Sequence, residues 1–441
     1  MPAIATLPVD VLLKIAFTIP DAEDLFAFLE ALRVDIDLGP LEYLHQLGQT
    51  HEHTDLWPTL FLDSLLLDEL STSPCQAVVK YYPSVIVEDG WENIEWLKAH
   101  VNPMATVEWY VNGFPQTVKN VDDWAKLQIT KASITIDNET TASTWKDVVP
   151  RLQHLTSLYV GDDFGQLDGI HALLPTSHQL TNFEIFATKM ENADLMYLNQ
   201  WFRSHPVQVF ESWFTEWREL DYNLRQALCE AMFNCPTLER LRLTDCYLDD
   251  MDFTKFNFSM KSLLLDELDS ESNVLIALAS RLEGSKLTHL EISDYVDDNN
   301  TKGMECLLRA LPQSSIKSLT FSGLHIKGAA WCKVARLFKN CGLETLTLGS
   351  DEISSDFAQS LATAIQKNRT ISGLHLSKCQ IAISDLQRSI QSIGYSTRRV
   401  KNRQIKWTSP ISETVSETTI KALEEYATKC GCDFIHERAL W

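Results

Sequence analysis

Short segments of alternating apolar and polar residues recur along most of the chain, and each is followed by a longer segment with a helical apolar period. Leu241 and Leu243 alternate with charged residues, whereas Val274, Leu278 and Leu282 fall on one helical face. Alternation is typical of a strand with one buried face, and recurrence every three or four residues is typical of an amphipathic helix. The sequence therefore predicts a repeating unit of one strand and one helix.

The strand segments share the pattern L-x-x-L-x-L, which occurs in phase six times between residues 238 and 376. Its middle positions are 22 to 29 residues apart, at Leu241, Leu263, Leu290, Leu319, Leu346 and Leu374. This pattern and this spacing are those of leucine-rich repeats. The predicted fold class is therefore α/β, a leucine-rich-repeat solenoid that forms a horseshoe with one strand and one helix per repeat.

The chain divides into three predicted parts. Residues 1–60 do not follow the repeat and are expected to form a small helical module. Residues 61–395 form the predicted solenoid, of which 61–150 carries only degenerate repeats. Residues 396–441 are expected to close the last repeat as a C-terminal cap, with a strand-like piece, a helix over 413–429 and a terminal tail.

The N-terminal residues carry a resemblance to a known module. Residues 7–16 (LPVDVLLKIA) resemble the opening of an F-box, L-P-x-[DE]-x-L-x-x-I, and residues 19–29 resemble its second helix. In F-box proteins this module docks the Skp-type adaptor of a cullin (SCF) ubiquitin ligase. The resemblance implies that Leu7, Pro8, Leu12 and Ile15 lie at or near that interface.

The same residues also allow a plainer interpretation. Asp21 is placed to cap the second helix, and the family's Val-Cys-Arg-x-Trp-like continuation is replaced at residues 33–35, with Trp57 following only later. A helical hairpin that covers the open end of the solenoid would explain the apolar pattern without any adaptor.

The repeats themselves resemble two groups of leucine-rich-repeat proteins. Residues 235–248 are similar to the cysteine-containing repeat of F-box/leucine-rich-repeat proteins, and residues 361–371 are similar to the ribonuclease-inhibitor repeat. The first resemblance implies a substrate-recognition subunit of an SCF ubiquitin ligase, whose repeats hold a target protein. The alternative is a stand-alone binding or inhibitor module for a basic protein partner. In either case Cys246 and Cys379 are expected to be buried thiols in strand-to-helix bends.

Candidate partner-binding residues come from two places. Alternate strand positions on the predicted concave face supply Arg240, Arg242, Asp266, His289, Glu291 and His375. The least regular repeat adds an aromatic cluster that contains Trp213 and Trp217. Large aromatic side chains are frequent anchors at interfaces, but they also fill gaps in imperfect repeats. Both interpretations of the tryptophans remain open at the level of sequence.

Charge narrows the class of partner. The 441 residues have a formal net charge of −22, which disfavours nucleic acid and anionic membranes and favours basic proteins. Carboxylates cluster after the predicted strands, at residues 245–252, 266–271, 294–298 and 351–356. They form either a docking edge for a basic partner or solvated loops. The one basic run, residues 398–406, is either an import or phosphate-binding patch or a solvated strand or loop.

Enzymatic chemistry is not indicated. The sequence contains no glycine-rich phosphate loop, nucleophile elbow or zinc-hydrolase motif, and the histidine and cysteine pairs near residues 51 and 430 lack metal-site spacing. We therefore expect a protein that is not an enzyme and holds no cofactor. The ten cysteines without a paired framework, and the lack of a leader or membrane-spanning segment, favour a cytoplasmic or nuclear location.

Overall fold

The structure is a computed structural model. It describes residues 8–34, 36–63, 76–88, 93–111, 118–136, 148–162, 174, 177–187, 190–214, 216–266, 272–296, 301–324, 326, 329–350, 352–395, 400–410 and 415–438. These residues belong to two compact units, Met1–Thr188 and Lys189–Trp441, and we treat each unit by itself.

Unit 1 begins with four helices: α1 Val9–Ala16, α2 Ala22–Arg33, α3 Leu41–Leu47 and α4 His53–Leu56. The Asp21 carboxylate accepts a hydrogen bond from the Asp24 amide at 3.0 Å, which confirms the predicted cap of α2. Trp57 ties the helices to the strands that follow, because its indole donates to the Ile19 carbonyl at 2.7 Å and its ring lies 5.9 Å from Tyr82.

The rest of unit 1 consists of strands with short helices between them. The strands are β1 Leu60–Leu62, β2 Ser84–Glu88, β3 Thr106–Tyr110, β4 Gln128–Ile136, β5 Ser157–Asp162 and β6 Asn182–Ala187, and the helices are α5 Gln76–Val79, α6 Ile94–His100 and α7 Val118–Trp124. Each strand pairs in parallel with the next. The degenerate repeats therefore contain real strands, in which Val85 pairs with Val107 and both are buried.

Unit 2 repeats the same arrangement with longer helices. Its strands are β7 Val209–Phe214, β8 Arg240–Thr244, β9 Ser262–Asp266, β10 His289–Val296, β11 Ser318–Leu324, β12 Thr345–Ser350, β13 Gly373–Ser377, β14 Gln404–Ser409 and β15 Asp433–Arg438. Its helices are α8 Asn192–Ser204, α9 Tyr222–Asn234, α10 Ser272–Ala279, α11 Thr301–Ala310, α12 Ala329–Leu337, α13 Ser355–Lys367, α14 Ile383–Gly394 and α15 Glu417–Cys430. No helix in the described ranges is both long enough and apolar enough to cross a membrane.

The leucine pattern sets the register between neighbouring strands. Leu241 pairs with Leu263, Leu263 with Leu290, and the pairing continues in the same way through Leu319 and Leu346. All of these leucines are buried, and the intervening helices bury their own apolar faces. A parallel strand needs a crossover connection, and the helix of each repeat provides it. The α/β solenoid-like repeat predicted from the sequence is confirmed for these residues.

The last residues extend the repeat further than expected. β14 pairs in parallel with β13, and β15 pairs in parallel with β14, with Trp407 opposite His436. The prediction of a terminal tail is therefore wrong for residues 433–438, which form a strand. Phe434 and His436 alternate with the more exposed Ile435, so this segment has a short period-two pattern that fits a strand.

The cysteine-containing bends are built as the repeat pattern predicted. Cys246 and Cys379 are fully buried, and the Cys379 thiol donates to the Leu348 carbonyl at 3.2 Å. The Trp407 indole in turn donates to the Cys379 carbonyl at 3.1 Å, which links one repeat to the next. Burial raises the pKa of the Cys246 thiol well above its usual value. These thiols are structural groups in this fold.

Candidate protein-binding face

The register of unit 2 brings several predicted residues together. We use "open face" for the side of the strands that carries the alternate, non-buried residues. On β7 to β10 the open face presents Trp213, Arg240, Arg242, Asp266, His289 and Glu291. They lie side by side because the strands are in register. Arg242 on β8 is the strand partner of Glu211 on β7 and of Leu264 on β9, and Leu264 is in turn the strand partner of Glu291 on β10.

Four of the charged residues in this region form an ion-pair network across three strands. An Arg240 guanidinium nitrogen lies 2.9 Å from Glu211 Oε1, and Arg242 reaches Asp266 Oδ2 at 3.3 Å and Glu211 Oε2 at 4.0 Å. The Glu211 side chain is only 7% exposed, whereas Arg240 is 54% exposed. A buried carboxylate needs paired charges, so Glu211 holds the two arginines in place at the surface.

Glu291 borders this network on β10. Burial raises its pKa above the usual value, and Asp266 adds to the rise, while Arg242 and Arg240 act in the opposite direction. Within the described part of the chain its carboxylate makes no ion pair. A half-buried carboxylate beside two arginines is suited to receive a hydrogen-bond donor or a cation from a bound partner.

Trp213 supplies an exposed aromatic ring next to the charges. Its side chain is among the exposed large apolar groups, with 42% of the residue accessible. Its indole N–H donates to Asp245 Oδ2 at 2.6 Å, and Asp245 has a positive φ of 56° in the bend after β8. The hydrogen bond satisfies the polar edge of the indole and fixes its position. A fixed aromatic ring next to charged groups is a common feature of protein interfaces.

Two of the predicted partner-binding residues are not part of the cluster on β7 to β10. Trp217 is fully buried, donates to the Tyr247 carbonyl at 3.0 Å and stacks on Phe214, so the prediction that it contacts a partner is wrong. Its ring fills the irregular repeat instead. His375 is on the open face but lies on β13, three strands beyond Glu291. Its pKa is lowered by burial and by the nearby Lys406.

Two residues that support the site were missed by the sequence reasoning. Glu211 falls in the repeat with the poorest leucine pattern, and Asp245 belongs to one of the carboxylate clusters that follow the predicted strands. Extending the register from β8 back to β7 would have placed Glu211 beside the arginines, because Val209 pairs with Arg240. Nothing in the sequence marks the hydrogen bond from Trp213 to Asp245.

The first helix presents an apolar stripe to solvent. The stripe consists of three exposed apolar residues at the spacing of one helical face, Pro8, Val11 and Ile15. The opposite face of the helix is buried and carries Leu12, Leu13 and Ala16. Leu12 is 1% exposed, so its predicted position at a docking surface is wrong, and it belongs to the core. Leu7 lies outside the described residues. The exposed candidates for docking are therefore Pro8, Val11 and Ile15.

The acidic loop after β8 is largely used within the chain. Asp249 pairs with Arg218 at 3.3 Å, Asp250 pairs with Arg225 at 2.8 Å, and Asp252 accepts the Thr254 amide. These carboxylates fit the interpretation of a structural and solvated loop better than that of a docking edge. Residues 267–271, 297–298 and 351 of the predicted edge lie outside the described residues.

The basic run is also used within the chain where it is described. Arg403 donates to the Val400 and Gly394 carbonyls, and Lys406 pairs with Glu437 at 2.8 Å. This part of the run is a strand and its approach, in agreement with the plainer interpretation. Arg398 and Arg399 lie outside the described residues.

Unit 1 has an acidic open face of its own. The Tyr110 hydroxyl donates to Glu108 Oε2 at 3.1 Å, and Lys131 pairs with Glu108 at 2.8 Å. Burial raises the pKa of Tyr110 to about 12, and the negative charges of Glu108, Glu184 and Glu88 add to the rise. Glutamates from three strands thus lie close enough to act on one tyrosine.

The site contains no feature of metal chemistry, since in the described ranges no three histidine, cysteine or carboxylate residues are grouped as metal ligands would be. No model of a known protein family matches the chain, and no curated protein matches it. The function is therefore argued from the site itself.

Proposed function

We propose that this chain is a protein-binding adaptor. The open face of its strands holds a target protein, and its N-terminal helices dock a Skp-type adaptor of a cullin ubiquitin ligase. The chain performs no chemistry in this proposal. It acts by proximity, because holding a target beside a transfer enzyme raises the effective concentration of the reacting groups.

The observation that carries the proposal is the combination of Trp213 with the ion-pair network on β7 to β10. A fixed aromatic ring at 42% exposure, next to paired arginines and a half-buried glutamate, has the composition of an interface hot spot. Enrichment in tryptophan and arginine is typical of such regions. The face is rigid because its side chains stand on hydrogen-bonded parallel strands.

The ligase part of the proposal depends on the first helix. Its exposed stripe of Pro8, Val11 and Ile15 is apolar, and exposed apolar stripes on helices often contact partner proteins. The F-box-like spacing of residues 7–16 indicates which partner to test. Leu12 is unsuitable for that test, because a charge at a buried position would unfold the module.

The docking test is a pull-down with a purified Skp-type adaptor. We expect the intact chain to bind and Ile15→Asp to weaken binding by about tenfold or more, since it places a charge in an apolar contact. Val34→Asp is the matched control, because Val34 is also apolar and exposed but lies beyond α2. No binding by the intact, folded chain would refute the ligase assignment, and equal loss in both variants would argue against the stripe.

The target face is tested by comparing proteins that co-purify from cells with the intact chain and with Trp213→Ala. We expect specific partners to be lost in the variant and retained with Tyr395→Ala, which removes an exposed ring at the end of α14. If Trp213→Ala retains every partner, the open face of β7 to β10 is not the binding surface.

A second candidate function is a stand-alone binding module for a basic protein. The acidic open face of unit 1, where three glutamates act on Tyr110, favours this alternative. Its affinity for a lysine-rich test peptide should fall steeply with added salt, because exposed charges are screened. Glu108→Gln with Glu184→Gln should weaken binding more than the same changes at Glu23 and Glu52. Affinity that is independent of salt would contradict this candidate.

A further inference from the structure

A groove on the helical side of unit 2 has a charge opposite to that of the chain. It has a volume of about 1010 Å³ and lies between α12 and α13. The two helices each connect parallel strands, so they run in the same direction and their C-terminal ends lie at the same end of the groove. At 1.5 Å per residue, the 13 residues of α13 make this groove about 20 Å long.

Four cationic side chains line the groove, because their spacing along the helices places them on the faces that border it. Lys333 and Arg336 follow one stripe of α12 that continues to Lys339, and Lys367 ends the facing stripe of α13. One carboxylate, Asp356, lies among the lining residues. This cluster stands out in a protein whose formal net charge is −22.

The four cations are exposed and, among the residues that the structure describes, none of them forms an ion pair. Neighbouring helices differ in this respect. Arg309 on α11 pairs with Glu305, and Arg388 on α14 pairs with Asp385. Two cations near helix C-termini would be ordinary, because the helix dipole favours them there. Four unpaired cations and a single lining carboxylate, Asp356, leave the groove with a net positive field.

The other lining groups match a polypeptide. Ser360, Thr363 and Gln359 offer hydroxyl and amide groups that can bond a peptide backbone, and Ala329 and Ala364 leave room between the helices. A long nucleic acid would extend beyond the groove over a surface that is negative overall, so its binding is disfavoured. A short acidic segment fits both the length and the charge.

We infer that the groove between α12 and α13 is a docking site for a short acidic segment of a partner protein. The carboxylates of the segment pair with Lys333, Arg336, Lys339 and Lys367, and its backbone bonds the polar groups between them. This site lies on the helical side of unit 2, whereas the proposed target face lies on the strand side, so it is a second and independent contact.

The test measures binding of a fluorescent octaglutamate peptide to the full chain. We expect the double variant Lys333→Glu with Arg336→Glu to weaken binding by about tenfold or more, because it reverses two of the four contacts. The control is Lys286→Glu with Lys302→Glu, which makes the same change in net charge at exposed positions outside the groove. Circular dichroism verifies that each variant is folded.

A footprint gives a second readout at the site. Cys332 lines the groove and is partly exposed, as are Cys306 and Cys430 outside it. Saturating peptide should slow alkylation of Cys332 by N-ethylmaleimide, measured on its own peptide by mass spectrometry, and leave Cys306 and Cys430 unchanged. Equal binding by both double variants, or no protection of Cys332, would overturn the inference. Binding of inorganic polyphosphate or oligothymidine in place of the peptide would overturn it as well.

Discussion

At the scale of single residues, Asn368 is the clearest link between two repeats. It is 1% exposed, and its amide nitrogen donates to the carbonyls of Phe338 at 2.7 Å and Cys341 at 3.0 Å. Its amide oxygen accepts the backbone N–H groups of Thr370 and Ile371. One side chain therefore satisfies buried backbone groups on two consecutive repeats, which the backbone alone leaves unpaired.

Replacing this residue should be costly. We expect Asn368→Ala to lower the free energy of unfolding by about 2–4 kcal/mol, because several buried donors and acceptors lose their partner. Urea denaturation followed by circular dichroism measures the change. Asn340→Ala, at an exposed position, should change the free energy by less than about 0.5 kcal/mol. Similar effects at both positions would show that the buried hydrogen bonds contribute little.

Glu291 allows a prediction about pH. Its pKa in the fold is raised above 4.5, so folding favours the protonated carboxyl over the carboxylate. Burying the charged carboxylate therefore costs stability. This cost is absent below the unfolded pKa, grows as the pH rises from about 4.5 and is complete above the folded pKa. Glu291→Gln should therefore stabilise the chain near pH 7 and have no such effect near pH 4. Urea denaturation of both proteins at the two pH values measures this, and an unchanged difference would contradict it.

At the scale of elements, the helices and the bends between helices and strands bury most of the thiols. Six of the nine cysteines in the described residues are buried, whereas Cys306, Cys332 and Cys430 are partly exposed. Burial raises the pKa of Cys341 and of Cys432 to about 11, which leaves little thiolate at neutral pH. The fold thus protects these cysteines from reagents in two ways. Burial restricts access to the sulfur atom, and the raised pKa keeps the thiol protonated.

Maleimide labelling should separate the two groups. We expect Cys306, Cys332 and Cys430 to react in the folded protein, and the buried six to react only when guanidinium unfolds it. Peptide mass spectrometry after short exposure gives the extent of reaction at each cysteine. Fast labelling of Cys246 or Cys379 under native conditions would show that the bends open readily.

The repeat elements were predictable to different degrees along the chain. From Leu241 to Leu374 the leucine spacing predicts both the strands and their register, because the same residue type recurs at each buried position. In the early repeats valine and tryptophan replace leucine, as at Val107 and Trp109, so the pattern is weaker although the burial is the same. The candidate site depends on contacts between neighbouring strands, such as the ion pair of Glu211 with Arg240. Such contacts can be predicted only when the register between the two strands is known.

At the scale of the whole molecule, the repeats of unit 2 depend mainly on their neighbours. Each strand pairs with the strands before and after it, and the buried leucines form one continuous layer. In such arrays stability is close to a sum of the stabilities of the repeats and of the interfaces between neighbours. Damage in one repeat should therefore spread over a short distance.

A core substitution in the middle of unit 2 tests this. We expect Leu346→Ala to cost about 2–5 kcal/mol, because Leu346 is fully buried on β12 and its removal leaves a cavity. In Leu346→Ala, hydrogen exchange of the backbone amides should accelerate most in β11, β12 and β13 and least in β7. The control is Thr347→Ala, which changes a residue of the same strand on the open face. Uniform acceleration across unit 2 would indicate one fully cooperative block.

The strand β15 has a consequence for solubility. It is the last strand in the order of the sheet, so one side of its backbone faces no further strand among the described residues. Such an edge can recruit a strand from another molecule and start aggregation, and natural sheets guard it with charge. Asp433, Glu437 and Arg438 are exposed and provide that protection on β15. A chain cut before Cys432 would instead present β14, whose Ile405 and Trp407 are fully buried, and would lose this guard against self-association.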